Sequence, residues 1–89
     1  MPTSSETQVA LPANVDLHAR PAADFVRTAM RFESQVFVEA NGRTANAKSL
    51  LAILALGAKR GTTLLLSADG DDANAALDAL AGCVVELTE

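Results

Sequence analysis

Tryptophan and tyrosine are missing from this chain of 89 residues, and phenylalanine occurs only three times. The net charge is −4 and no block is rich in Lys or Arg, so nucleic acid would find neither a stacking surface nor an electrostatic track. The three Phe residues stand at core-like positions, and nucleic acid is not an expected partner. Cysteine is reduced to Cys83, which excludes an intramolecular disulfide and a cysteine-based metal site and suits a reducing cytoplasm. It reads as a small apolar packing residue. The longest apolar run, residues 50–56, falls far short of the roughly 20 residues needed to cross a bilayer. The polar start over residues 1–7 lacks the features of a signal peptide. No membrane insertion is expected. Paired carboxylates, a Ser-His-Asp set, a glycine-rich nucleotide loop and a metal cluster are also absent, so the reading includes no stand-alone enzyme, no metal and no cofactor.

Basic residues are missing outside residues 20–60. Arg20, Arg27, Arg31, Arg43, Lys48, Lys59 and Arg60 all fall within that stretch, opposed there only by Asp24, Glu33 and Glu39, while the remainder carries eight acids and no base. The middle of the chain is therefore basic, and a basic face would steer toward acidic protein partners. A chain of this length makes one domain, residues 1–89, burying about 60–65% of its unfolded surface. No internal repeat, linker or low-complexity segment interrupts it.

What is present begins with His18, the sole histidine, in the run Leu17-His18-Ala19-Arg20-Pro21-Ala22. A free imidazole has a pKa near 6.5, so at neutral pH a large fraction offers an unprotonated nitrogen as nucleophile. Pro21 has no N–H to lose and a φ suited to a first helical turn, which places a helix start at residues 19–21 with His18 at its N-terminus. First-turn N–H groups, those of Ala19 and Arg20, and the positive end of the helix dipole favour a phosphate there. The Arg20 guanidinium adds a charge-assisted hydrogen bond. A lone histidine is more often a surface or capping residue than a reactive one, so the rest of the chain has to agree with the motif.

Periodicity orders the remaining elements. Residues 7–11 read as a strand and 12–17 as the loop that delivers His18. Ala22, Phe25, Val26, Ala29 and Met30 recur at helical spacing over 19–32. Val36 and Val38 alternate with polar neighbours, and Asn41-Gly42 is a strong hairpin signal before a strand at 43–46. Ser49 opens a short apolar helix closed by Gly57 as a left-handed cap. That helix carries more apolar residues than one buried face needs, so part of it is expected at the surface. Residues 62–68 form a strand, Asp69-Gly70 a turn, and Asp71 or Asp72 opens a last helix; residues 84–87 are left unassigned. The order β-α-β-β-α-β-α implies an α+β domain in which one four-stranded sheet packs helices on one side.

Three segments together resemble a known family. The site run, the Asn41-Gly42 hairpin and Ala47-Lys48-Ser49-Leu50-Leu51 continuing to Leu56-Gly57 are similar to the histidine-containing phosphocarrier protein, HPr, of the bacterial phosphoenolpyruvate-dependent phosphotransferase system. The similarity runs over residues 14–87. It implies the HPr-like open-faced sandwich, with a four-stranded antiparallel sheet and three helices on one side. It further implies that His18 is phosphorylated at Nδ1 by phospho-enzyme I and passes the group to a sugar-specific IIA protein, with Arg20 as the phosphate's partner. The exposed part of the second helix (Leu50, Leu51, Leu54) would be partner surface rimmed by Arg27 and Lys48. Ser49 matches the serine phosphorylated by HPr kinase/phosphorylase in some relatives, although a serine that opens a helix is also a favoured N-cap. The implied protein is a cytoplasmic monomer that carries phosphoryl groups. A related carrier in a nitrogen-regulatory or dihydroxyacetone kinase phosphorelay, and a non-phosphorylated regulatory binding module, are the alternatives.

Two positions depart from the family pattern. Asp16 stands where Gly is usual, and a carboxylate there repels a phosphohistidine unless it turns away or pairs with a cation such as Arg20. Ala52 stands where kinase-responsive relatives often carry Gly.

Overall fold

Alternation of apolar and polar residues along the strands sets the architecture. In the computed structural model, which describes residues 4–87, β2 (Gln35–Ala40) buries Val36, Val38 and Ala40 and exposes Gln35, Phe37 and Glu39. Residues 1–3 of the polar start lie outside the described residues. The period of two places one face of the sheet against helices and leaves the other open. β1 (Ser4–Ala10), β3 (Arg43–Asn46) and β4 (Thr63–Asp69) complete a four-stranded antiparallel sheet in the order β1-β4-β2-β3. Leu64, Leu66 and Ala68 of the central β4 are buried. They stand in register with Val9, Thr7 and Ser5 of β1, while Leu66 and Ala68 also face Val38 and Val36 of β2. Three helices cover the packed face: α1 (Ala19–Ala29), α2 (Leu50–Ala55) and α3 (Ala73–Val85). Phe25, Ile53 and Leu80 are their fully buried anchors.

Turn chemistry fixes the connections. Asn41 and Gly42 both take positive φ, 55° and 76°, the two left-handed residues that match the twist of the β2–β3 hairpin. Gly57, with φ of 63°, follows α2 where a residue bearing a Cβ would be strained.

Several boundaries and one side chain differ from the sequence expectation. β1 starts at Ser4 and not at residue 7, because its ladder with β4 runs from Ser4↔Asp69 to Ala10↔Thr63 and carries polar residues that have no apolar signal. β1 ends at Ala10, one residue before the expected 11, and β4 runs Thr63–Asp69, one residue later than expected at both ends. α1 ends at Ala29 and does not reach 32. Beyond it Arg31 and Phe32 donate back to Thr28 and Ala29, tight three-residue turns that finish the helix, and the Lys48 Nζ donates to the Phe32 carbonyl at 2.6 Å. α3 extends through Val85, so of the unassigned residues 84–87 the first two are helical and Glu86 is the C-cap, with Val84 and Leu87 buried. Phe37 is not a core residue. It lies 39% exposed on the open face, because β2 turns every second side chain away from the helices.

Candidate functional site

His18 is the N-cap of α1, with extended backbone angles of −117° and −165° and no side-chain capping bond to the helix. Its N–H donates to the Asp16 carbonyl at 2.9 Å and its carbonyl accepts from Ala22 N–H at 2.8 Å, so the residue is clamped on both sides at the helix start. Pro21 is buried in the first turn, while His18, Ala19 and Arg20 are exposed. In any α-helix the first-turn N–H groups precede their intrahelical acceptors. Here they belong to Ala19 and Arg20, at a dipole end that favours an anion.

The loop before His18 is tied down by the chain that follows α2. Leu17 N–H donates to the Ala58 carbonyl at 2.9 Å, Gly61 N–H to the Pro12 carbonyl at 3.2 Å, and Leu11 N–H to the Thr62 carbonyl at 2.9 Å. Residues 59–62 make a turn closed by Thr62 N–H on the Lys59 carbonyl at 3.0 Å, with Gly61 at φ of 75° in the position that requires a left-handed residue. As a result His18 borders a shallow hollow of about 220 Å³ together with Asp16, Leu17, Leu54, Gly57, Ala58 and Lys59.

Asp16 has a partner, and it is Arg60 rather than Arg20. One carboxylate oxygen accepts from Arg60 N–H at 2.7 Å and from Arg60 Nε at 3.4 Å. The turn at 59–62 delivers both donors from one residue. These hydrogen bonds, backbone first and then side chain, hold the Asp16 carboxyl below the usual aspartate value, with the charges of Arg60 and Lys59 adding to the effect.

α2 presents the apolar surface that its composition led us to expect. Ile53 and Leu56 are buried, whereas Leu50 is 40%, Leu51 80% and Leu54 36% exposed. Ser49 is the N-cap, its hydroxyl oxygen accepting from Ala52 N–H at 3.2 Å. Arg43 of β3 donates to the Ala55 carbonyl at 3.0 Å and holds the other end. The two cations expected as a rim are both engaged. Arg27 pairs with Asp24 one turn earlier on α1, and the Lys48 ammonium is spent on the end of α1. Lys59 and Arg60 were missed by sequence reasoning; adjacent cations just after the Gly57 cap were the available signal, read only as part of the overall charge distribution.

Residues 5–86 match the family described as the PTS HPr component phosphorylation site. The chain belongs to the HPr family. It is 42% identical to the phosphocarrier protein HPr of Buchnera aphidicola over 82 residues, which cover 92% of this chain and 96% of that protein. It is equally 42% identical to the HPr-like protein Crh of Bacillus subtilis, over 91% of this chain and 95% of the relative. The crystal structure of HPr from Bacillus anthracis superposes with a TM-score of 0.86 at 40% identity, covering 91% of this chain and 96% of that one. HPr proteins are phosphocarriers of the phosphotransferase system, and the open sandwich described above is the HPr fold. Among the described residues no helix is long and apolar enough to cross a membrane.

Proposed function

We propose that this chain is a phosphoryl shuttle of sugar uptake, taking the group on His18 from phospho-enzyme I and giving it to a sugar-specific IIA protein. The observation that carries this reading is an exposed histidine capping α1 in a hollow it shares with Leu54 of the exposed α2 face. Acceptor and docking surface are thereby contiguous. In the transfer a bond from phosphorus to Nδ1 of His18 forms while the bond from phosphorus to its carrier atom on enzyme I breaks, and the bonding pair stays with that atom. Transfer to the IIA protein runs the same exchange onward. Catalysis then consists of in-line placement and charge stabilisation, to which the Ala19 and Arg20 N–H groups and the Arg20 guanidinium contribute. Leu50, Leu51 and Leu54 supply the apolar contact, with Arg27 and Lys48 near its edge. The carrier acts in the cytoplasm as a monomer. Phosphorylation of Ser49 by an HPr kinase would place about two negative charges beside Leu50 and Leu51 and weaken that contact.

The test is incubation with enzyme I, Mg²⁺ and phosphoenolpyruvate, followed by intact mass beside a His18→Ala control. One acid-labile phosphoryl group on the parent and none on the variant supports the shuttle. The equal identity to Crh favours one second reading, an HPr-like regulatory module, for which the parent stays unlabelled while a known HPr labels in parallel.

A further inference from the structure

The hollow beside His18 contains a cation that the site run does not supply. Lys59 lines it together with His18, and its backbone is held on both sides: the Ala58 carbonyl accepts from Leu17, and Arg60 N–H donates to Asp16. The Lys59 carbonyl itself closes the turn with Thr62. Lys59 is thereby mounted at the mouth of the hollow.

The charges that face the hollow decide what such a cation can do. Among the described residues Asp16 is the acid lining it, and that carboxylate is bound through two donors by Arg60. On α1, Asp24 is committed to Arg27. The stronger claim on Asp16 is therefore made by Arg60, and Lys59 keeps its charge for whatever enters. A phosphoryl group on histidine brings up to about two negative charges, and an ammonium nearby favours it without any metal.

We infer that Lys59 is a phosphate-holding residue of the carrier, acting with Arg20 on the phosphoryl group of His18, and that the Asp16–Arg60 pair is the device that positions it. This inference rests on the shuttle reading above. It also accounts for the aspartate at 16: the carboxylate is drawn onto Arg60, and in return fixes the turn that brings Lys59 to the histidine.

The measurement is the equilibrium of phosphoryl exchange with enzyme I, read by intact mass as the phosphorylated fraction of the parent and of K59Q, K59R, K59E and R60Q, each first shown to keep the parent's denaturant midpoint within error or corrected for it. K59Q is expected to lower the equilibrium constant about three- to tenfold, the scale of one partly solvated charge interaction, with K59E lower still and K59R recovering most of the loss. Raising the salt should shrink the K59Q effect, because an exposed interaction is screened. A merely structural lysine would show no such dependence. R60Q removes the Nε contact but leaves the backbone N–H bond to Asp16, so it should lower the equilibrium constant by less than K59Q does. A parent that labels while K59Q matches it at low salt overturns this inference and leaves the shuttle standing; a parent that never labels overturns both.

Discussion

Asp72 shows how much a single side chain holds together in this fold. It occupies the N-cap position of α3 but makes no capping bond there. Instead its carboxylate accepts from the backbone N–H groups of Glu33 and Ser34, each at 2.9 Å, and from the Ser34 hydroxyl. One residue thus ties the segment between α1 and β2 to the start of the last helix. The Ser34 hydroxyl and then the Glu33 N–H hold this carboxyl below the ordinary aspartate value of 3.8. A carboxyl depressed in the folded state stabilises fully above its unfolded pKa, and that contribution is lost as pH falls through the folded one. D72N should therefore be less stable than the parent at pH 7 and lose less on going to pH 3. Thermal unfolding across that range checks it, and parallel curves for the two proteins would contradict it. Asp16 belongs to the same class of acid-sensitive contact. Sequence reasoning foresaw its need for a cation and looked to Arg20, its near neighbour; the partner, Arg60, was illegible because only the folded turn at 59–62 brings it across.

At the scale of elements, the short helix α2 carries little burial of its own, with Ile53 its buried residue. Its ends consequently matter more than its middle. Ser49 satisfies the Ala52 N–H at one end and Arg43 the Ala55 carbonyl at the other. Ser49→Ala should cost about 1 kcal/mol, measured by urea unfolding, whether or not a kinase ever acts on the serine. Gly57, Asn41-Gly42 and Ser49 were all legible in the sequence because each answers a local backbone demand. The end of α1 was not. Its apolar spacing continues through Met30 and toward Phe32, but the helix closes after Ala29 in the turns of Arg31 and Phe32, and a lysine sixteen positions further on takes the Phe32 carbonyl. Phe37 was misjudged for a related reason: aromatic character signals burial only on average, whereas the strand's period of two decides which face it takes.

For the whole molecule, the close approach between loops limits what sequence can change. A Cβ on Gly70, whose φ is 149°, would come within 2.8 Å of the Ser34 backbone. Gly70→Ala should destabilise by roughly 1–3 kcal/mol through overpacking and backbone strain, seen as a lowered denaturant midpoint with an unchanged slope. The family and the layered architecture could be read from residues 17–22, the hairpin and the Ser49 segment. The hollow could not, since His18, Leu54 and Lys59 come from separate parts of the chain.

The strand order carries one further consequence, for the time course of synthesis. The β2–β3 hairpin is local and can pair as soon as it leaves the ribosome, but β1, made first, has only β4 as its neighbour in the sheet, with Ser4 opposite Asp69. β1 must therefore wait without a sheet partner until β4 has been made. Closing so long a loop carries an entropic cost before any ladder bond repays it, and β4, inserted between β1 and β2, completes the sheet from both sides at once. Until β4 is made the nascent chain holds no more of the sheet than the β2–β3 hairpin.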